Sequence, residues 1–212
     1  MTRQAWMKDD VQQAKPVEPP KADEQNVDYK EPGYVEVVGN VIYFYADIDS
    51  SKSLHLIKTI KEKEAELLTK QRTMRLNEVP AIHLHIQSYG GWAHAGLAGH
   101  DHLMNLEIPL YTYVDGVSAS AATLWTVAGN KRFISKNSFM LIHQVIYSYW
   151  GTYTHENLKD EIKNSESLMK VLKRIYLDRT KIPAKKLDEL LKHDLYFSAE
   201  ECVEYGLVDE II

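Results

Sequence analysis

Two serines, Ser118 and Ser120, lie in a run of small residues that extends from Gly116 to Thr123. A histidine, His143, follows this run after a short apolar segment. A serine at the start of a buried helix can act as a nucleophile when a histidine takes its proton. Small neighbours let backbone N–H groups approach a reacting carbonyl, and a helix N-terminus favours developing negative charge. The pattern therefore predicts acyl-transfer chemistry.

Each of these residues also has a structural interpretation. Ser120 could be a small packing residue, and His143 could be a partly buried histidine bound to a carbonyl. Ser118 is a rival nucleophile, because it would occupy a Gly-x-Ser-x-Gly elbow if position 120 were glycine. The place of His143 at the end of a predicted strand favours a catalytic base. Asp194 is a candidate acid that could equally be a loop residue, and Gly90-Gly91 could be a tight turn, an exposed amide donor, or both.

The sequence offers little for a metal or a nucleotide. It contains nine histidines. Two close pairs, His83 with His85 and His100 with His102, stand out. Neither pair forms a His-Glu-x-x-His helix motif, and no cysteine cluster assists them. Neither a Gly-x-Gly-x-x-Gly run nor a Gly-Lys-Ser/Thr ending is present. We expect no metal and no other cofactor.

Composition limits the class of protein. The 212 residues are 44% hydrophobic with a formal net charge of -5, which suits one globular domain with a sizeable core. No basic stripe interleaved with aromatics is present, so nucleic acid is not an expected partner. The single cysteine excludes an intrachain disulfide and favours a reducing compartment, the cytoplasm. No signal-peptide core and no membrane-spanning stretch occurs, so we expect no secretion and no membrane anchor.

The chain divides into a tail and a domain. Residues 1–33 combine prolines and scattered charges with few aliphatic side chains, which predicts a flexible tail. The domain covers residues 34–212. Within it, predicted strands near 36–45, 81–86, 111–114, 131–134 and 139–142 alternate with predicted helices, and this alternation indicates a parallel sheet with crossover connections.

The C-terminal third is predicted to be mainly helical. A long helix over 156–180 carries two adjoining apolar stripes, which need two covering surfaces, the domain body and a neighbouring subunit. A capping-box pattern at Ser198–Glu201 opens a last short helix, and a strand is expected at Leu207-Val208. Farther upstream, the serines of residues 50–53 are expected to cap the first helix.

With these residues in this order, the sequence resembles the proteolytic subunit of the Clp protease family from about Val41 onward. Ser88-Tyr-Gly-Gly91 matches a Ser-Pro-Gly-Gly loop, and Ala119-Ser-Ala-Ala-Thr123 matches an Ala-Ser-Met-Gly-Ala run. A family pattern of Asn-Ser, apolar residues and His-Gln is matched by residues 137–144. The ending Ser198-Ala-Glu-Glu-Cys-Val-Glu-Tyr-Gly-Leu-Val-Asp209 is the most specific match.

This resemblance assigns roles by position. It implies that Ser120 attacks a peptide carbonyl, that His143 acts as base and then as acid, and that Asp194 orients and stabilises the imidazolium. The amides of Gly91 and Ala121 would bind the oxyanion. The chain order Ser, His, Asp differs from the Ser, Asp, His order of α/β-hydrolases, which argues against an esterase of that fold.

The resemblance also implies an architecture and partners. The implied fold is α/β, a crotonase-like superhelix of repeated β-β-α units with a protruding helix-strand handle. In such peptidases the handle joins two heptameric rings and binds substrate by strand addition. Here the predicted helix over 156–180 and the strand residues Val145, Ile146 and Tyr147 would fill those places. The implied partners are a peptide or unfolded-protein substrate, further copies of the chain, and an AAA+ unfoldase.

Several positions depart from the family pattern. Tyr89 replaces the usual proline, Ala121-Ala122 replaces Met-Gly, Val145 replaces the proline after His-Gln, and residues 147–150 are bulkier than the Gly-rich family stretch. These changes bear on substrate fit and rate. Residues 1–40 show no match to the axial-loop segment that helps to dock the ATPase.

The leading hypothesis is therefore a serine endopeptidase that works inside an oligomeric chamber. One alternative is a catalytically silent ring subunit. Another is a phage capsid-maturation protease, because divergent relatives of this type occur in bacteriophages. A crotonase-type acyl-CoA enzyme would use a similar oxyanion scaffold with carboxylate chemistry, and the Ser, His, Asp order disfavours it.

Overall fold

A β-hairpin begins the part of the chain that the computed structural model describes, residues 34–148 and 151–212. The predicted tail, residues 1–33, lies outside these residues. Strand β1 (Val35–Val38) pairs antiparallel with strand β2 (Val41–Tyr45). Gly39 adopts a φ of +63° in the turn between them, a conformation that glycine takes without strain. The predicted Gly-Asn turn between two strands is thus confirmed.

Strands and helices alternate after the hairpin, as the apolar pattern predicts. The elements are α1 Ser50–Met74, β3 Ile82–Ser88, α2 Ala93–Met104, β4 Leu110–Ala119, α3 Ala121–Val127, β5 Lys131–Ile134, β6 Phe139–Leu141, α4 His155–Arg179, α5 Ala184–Leu190, α6 Ala199–Glu204 and β7 Glu210–Ile211. This order confirms the predicted α/β class.

The strands form one sheet in the order β1-β2-β3-β4-β5-β7, and β6 pairs with β4. Every pairing except the first hairpin is parallel. In a parallel sheet the carboxyl ends of neighbouring strands meet at one edge, where such folds concentrate their functional loops. The loops after β3, β4 and β6 therefore come close together.

Strand β4 is longer than the sequence predicts because it changes its neighbour halfway along. Residues Tyr111–Val114 pair with β5, whereas Val117–Ala119 pair with β6. Gly116 lies between the two stretches with a φ of +73°, and its N–H donates to Ser138 Oγ at 2.7 Å. The second stretch of β4 leads directly into α3.

Helix α3 is buried along its whole length. Its Trp125 is fully buried, contacts Phe44 edge to face, and donates its indole N–H to the carbonyl of Gly96 on α2 at 2.9 Å. A Cβ at Gly99 would overlap the indole of Trp125. Glycine at this position therefore lets α2 and α3 approach closely and fixes the position of α3 in the core.

Helix caps partly follow the predictions. Asp49, and not a serine of residues 50–53, caps α1, because its carboxylate accepts the N–H of Lys52 at 2.8 Å. The predicted capping box of α6 is present, with Ser198 and Glu201 bonding each other's backbone. The predicted strand at Leu207-Val208 is wrong: both residues are buried, and β7 begins at Glu210.

Helix α4 differs between its two halves. Its C-terminal half is buried against the domain through Leu168, Leu172, Ile175 and Tyr176. In its N-terminal half, Leu158 and Ile162 are exposed. The predicted handle helix therefore has one apolar stripe packed on the domain and one apolar stretch that faces away from it. The expected strand before α4 is not paired with any strand over residues 145–148.

The single cysteine, Cys202, is a buried residue of α6, and burial raises the pKa of its thiol to about 12. A thiol with this pKa stays protonated at neutral pH and is a poor nucleophile. Within residues 34–148 and 151–212, no helix combines the length and the hydropathy needed to cross a bilayer.

Candidate active site

Ser120 lies at the junction of β4 and α3 in a backbone conformation that serine rarely adopts, with φ 54° and ψ -126°. Its N–H donates to the carbonyl of Leu141 on β6 at 2.8 Å, and its carbonyl accepts the N–H of Thr123 at 3.1 Å. A non-glycine residue held in such a region stores about 1–3 kcal/mol of strain. A strained strand-to-helix turn is the arrangement that presents a nucleophile at the top of a sheet.

His143 contacts this serine directly. Its Nε2 lies 2.7 Å from Ser120 Oγ, within hydrogen-bond distance. Its Nδ1 lies 3.0 Å from Asp194 Oδ1, the distance of an ion pair, but Nδ1 makes no hydrogen bond within the described residues. The histidine side chain is 14% exposed and the aspartate side chain 72% exposed. The structure thus brings the three predicted residues together, with a close Ser–His contact and a looser His–Asp contact.

Two backbone amides next to Ser120 have no acceptor among the described residues. The loop after β3 bonds Ile48, which follows β2: Ile48 N–H donates to Gly90 O at 2.6 Å and Trp92 N–H donates to Ile48 O at 2.9 Å. The Gly91 N–H between them, and the Ala121 N–H at the first position of α3, donate no hydrogen bond among the described residues. Both residues line the same cleft as Ser120. Two unsatisfied donors beside a nucleophile can bind an oxyanion.

The Gly90-Gly91 pair is required by space as well as by conformation. The φ values are +96° at Gly90 and +146° at Gly91. A Cβ at Gly90 would lie 2.6 Å from the carbonyl oxygen of Ala119 and 2.7 Å from Ser120 Cβ, and a Cβ at Gly91 would overlap the carbonyl of Ile48. Both sequence interpretations of this pair, a tight turn and a free amide, describe the same loop.

Ser118, the rival nucleophile, is buried in the core. It has no exposed surface, and its Oγ lies 2.8 Å from Thr126 Oγ1 on α3. Side chains alternate along a strand, so residues two apart share a face only while the strand continues. The strained turn at Ser120 ends β4 and redirects its hydroxyl towards the cleft, whereas Ser118 remains inside.

The cleft holds about 500 Å³. It is lined by the site residues and by other residues such as Leu124, Leu172 and Tyr176. The predicted substrate-strand residues Val145 and Ile146 line this cleft. Tyr147 lines a separate depression next to α4. The N–H of Val145 donates to Met169 Sδ at 3.3 Å, a weak acceptor that a peptide carbonyl can replace.

The predicted histidine pairs make no metal centre. Across the described part of the chain, no group of three or more His, Cys, Asp or Glu side chains is arranged to hold a metal ion. His83 instead contacts the hydroxyl of Tyr113 at 2.8 Å, and His100 contacts Asp101 at 3.0 Å. Burial, together with the charge of His85, lowers the pKa of His83.

Sequence analysis missed two residues that support the site. Thr123 bonds the carbonyl of Ser120, and Tyr176 on α4 bonds Thr123 in turn. A signal for Thr123 was available, since a hydroxyl stands there in place of the alanine of the Ala-Ser-Met-Gly-Ala run. Tyr176 carried no signal of its own, because a tyrosine in an apolar helical stripe fits a core position equally well.

The sequence matches a known protein family. A family model described as Clp protease matches residues 38–212, most of the chain. This chain belongs to the Clp protease family. It is 34% identical over 134 residues to an ATP-dependent Clp protease proteolytic subunit from Oenothera elata subsp. hookeri. The aligned part is 61% of this chain and 53% of that relative, so the chain spans about half of the relative's length.

The fold is also similar to that of a solved Clp family protein. A mutant of ClpP1 from Listeria monocytogenes superposes with a TM-score of 0.69 over 82% of this chain and 91% of that chain. The two sequences are 22% identical, so this similarity shows the Clp family fold alone.

Proposed function

We propose that this chain is a serine endopeptidase that cleaves peptide bonds with Ser120, His143 and Asp194. One observation carries the proposal: a serine hydroxyl on a strained turn lies 2.7 Å from a histidine nitrogen. Two free amides lie beside it in one cleft. Membership of the Clp protease family supports the same chemistry.

The acylation step follows from these positions. As the bond forms between Ser120 Oγ and the peptide carbonyl carbon, the hydroxyl proton moves to His143 Nε2. The carbonyl oxygen becomes an oxyanion that accepts hydrogen bonds from the N–H groups of Gly91 and Ala121. The imidazolium then gives its proton to the leaving amine as the C–N bond breaks. Water then attacks the acyl-enzyme. His143 takes a proton from the water and gives it to Ser120 Oγ as the bond between Oγ and the acyl carbon breaks.

Asp194 sets the state of the histidine. A carboxylate next to Nδ1 favours the tautomer that carries its proton there, which leaves the Nε2 lone pair free to accept the serine proton. The same carboxylate stabilises the imidazolium. Because its side chain is 72% exposed, solvent screens this interaction. We therefore assign Asp194 a smaller share of catalysis than His143.

The substrate is proposed to be a peptide or an unfolded chain. A peptide that adds as a strand along Val145, Ile146 and Tyr147 would bond their backbone and place one carbonyl at Ser120. The cleft is open and partly apolar, which suits an extended chain whose side chains alternate between wall and solvent. A folded domain presents few such segments.

The proposed setting is a chamber built from copies of this chain, as stacked heptameric rings in the cytoplasm, with an AAA+ unfoldase as a possible supplier of unfolded chains. The exposed Leu158 and Ile162 on the outer half of α4 support a contact with another copy. Replacing both by aspartate should lower the sedimentation coefficient of the assembly. An unchanged coefficient would contradict an interface on this half of α4.

A fluorophosphonate probe tests the catalytic proposal. The assembled protein should be labelled at Ser120, located by peptide mass mapping, and both Ser120→Ala and His143→Ala should abolish labelling. Ser118→Ala is the matched control, because its hydroxyl is buried, and it should still be labelled. Absence of labelling in the assembled wild-type protein would favour the silent ring subunit.

A further inference from the structure

Three groups form a chain of hydrogen bonds beneath Ser120. The Tyr176 hydroxyl lies 2.6 Å from Thr123 Oγ1, and Thr123 Oγ1 donates to the carbonyl oxygen of Ser120 at 2.6 Å. Thr123 has no exposed surface, and Tyr176 is 3% exposed. These hydrogen bonds therefore connect helix α4, through the first turn of α3, to the strained turn at Ser120.

The direction of these bonds is fixed. A threonine hydroxyl has one proton, and Thr123 gives it to Ser120 O, so Tyr176 must be the donor to Thr123. Burial raises the pKa of Tyr176 to about 12, which keeps this proton in place across the neutral range. Successive bonds that point the same way polarise and strengthen one another.

The acceptor at the end of this chain belongs to the peptide group that carries the Ala121 N–H. In a trans peptide the C=O and the following N–H are coplanar and point in opposite directions. Ser120 O accepts two bonds, from Thr123 Oγ1 at 2.6 Å and from Thr123 N at 3.1 Å. Fixing this oxygen therefore fixes the direction of the N–H of Ala121, a residue that lines the cleft.

We infer that Thr123 and Tyr176 are positioning residues that hold the Ser120–Ala121 peptide plane so that the Ala121 N–H points at the developing oxyanion. This inference rests on the proposed peptidase function. Neither side chain touches the reacting atoms, and both act through the peptide group between Ser120 and Ala121. Since the turn at Ser120 is strained, the peptide plane would relax away from this orientation without such a restraint.

The test uses conservative variants of the assembled, full-length protein. Thr123→Val keeps the shape and removes the hydroxyl, Thr123→Ser keeps the hydroxyl, and Tyr176→Phe removes only the distal donor. Thr126→Val is the matched control, because Thr126 is equally buried on the same helix and bonds Ser118 instead of Ser120. For each variant, kcat and KM are measured with a fluorogenic peptide amide, and the melting temperature is recorded.

A misdirected oxyanion donor weakens binding of the transition state and leaves binding of the ground state unchanged. We expect kcat to fall about tenfold in Thr123→Val, less than the loss that follows complete removal of a donor. Tyr176→Phe should lower kcat about threefold, because its bond acts through Thr123. KM should be unchanged in both variants, and Thr123→Ser should stay within about twofold of wild type. Thr126→Val should lower the melting temperature and leave kcat unchanged.

A second measurement separates positioning from a general structural effect. A peptide aldehyde forms a tetrahedral adduct with the serine and needs the oxyanion donors, whereas a product peptide does not. Affinity for the aldehyde should fall in Thr123→Val by the same factor as kcat/KM, while affinity for the product peptide stays constant. Equal kcat in wild type, Thr123→Val and Tyr176→Phe would overturn the inference, as would an equal fall in Thr123→Ser.

Failure of the peptidase proposal gives a different result. If wild-type Ser120 were neither labelled nor able to cleave a peptide, the function itself would be wrong. If the wild type were active and the Thr123 and Tyr176 variants had the same kcat as the wild type, only the positioning role would be overturned. Should Thr123→Val not fold, Tyr176→Phe and Thr123→Ser decide the question.

Discussion

The described residues contain three His–Asp pairs. Two of them join distant parts of the chain at similar distances, and only one of these two is part of the candidate active site. His143 Nδ1 lies 3.0 Å from Asp194 Oδ1 in the cleft. His85 Nδ1 lies 2.8 Å from Asp115 Oδ2 among the side chains of β2, β3 and β4. Judged by this distance alone, the second pair is the better ion pair. The two pairs differ in what surrounds each imidazole.

The imidazole of His85 lies among aromatic rings. It stacks on Tyr113 with ring centroids 4.4 Å apart and an interplanar angle of 3°, and its centroid lies 4.9 Å from that of Tyr43. Tyr45 donates its hydroxyl to Asp115 at 2.6 Å. Within the described residues, no hydroxyl group bonds the second ring nitrogen of His85. Under the proposed function, the strained turn at Ser120 and the two amides beside it, and not the His–Asp contact itself, distinguish His143 from His85.

Exchanging each histidine for glutamine should give the largest contrast. His143→Gln removes the proposed base, and we expect kcat to fall about 10⁴-fold or more, as it does when a catalytic histidine is replaced. His85→Gln should leave kcat within about twofold of wild type and lower the melting temperature, since it loses the stacking. Hydrolysis of a fluorogenic peptide by equal concentrations of assembled protein measures both. A large loss of kcat in correctly assembled His85→Gln would break the comparison.

Replacing each aspartate by asparagine should also lower kcat more at Asp194 than at Asp115, and the contrast should be smaller than that between the two histidines. Asp194→Asn removes the charge that favours the productive tautomer, and we expect kcat to fall about 10²-fold, because the exposed carboxylate is screened. In Asp115→Asn, kcat should be unchanged. Steady-state kinetics near neutral pH measure the two variants in parallel. If Asp194→Asn retained full kcat, the imidazole would be oriented by another group.

The smallest expected effect is on stability and concerns Asp115. Burial raises the pKa of this carboxyl, but hydrogen bonds from His85 and Tyr45 outweigh it, and the net pKa is lower than usual. The associated stability is fully present above the pKa of an unfolded aspartate, about 3.9, and is lost as the pH falls through the folded value.

Urea unfolding of wild type and Asp115→Asn at several pH values measures this contribution. We expect the variant to be less stable by about 1.5–3 kcal/mol near neutral pH, the range for a hydrogen bond to a charged group. The difference between the unfolding free energies of the two proteins should become smaller below about pH 4. A gap that is constant with pH would show that the ionised carboxylate is not the stabilising species.

Much of the fold could be predicted from the sequence because local signals agreed with the tertiary structure. The turn at Gly39, the strand over 131–134 and the capping box at Ser198 each rest on residues adjacent in the chain. The predictions were wrong where contacts between residues distant in the sequence determine the secondary structure. Leu207-Val208 has strand composition, but the loop that carries it is buried, and β7 begins only at Glu210, where pairing with β5 is possible.

The three candidate residues of the site could be named from the sequence, whereas the supporting residue Tyr176 could not. Ser120, His143 and Asp194 each have a structural interpretation as well, and the family resemblance favoured the catalytic one. The choice between Ser118 and Ser120 depends on the positive φ of Ser120, which cannot be inferred from the residue type. The contact between Tyr176 and Thr123 joins residues 53 positions apart, and a sequence pattern does not encode it.

The left-handed turn at Ser120 has a practical consequence for capturing bound peptides. Replacing the nucleophile by alanine leaves the same unfavourable angle in place, because alanine also has a Cβ. Glycine removes both the hydroxyl and the Cβ that makes φ 54° costly. Ser120→Gly should therefore be an inert trap that melts at a higher temperature than the active protein.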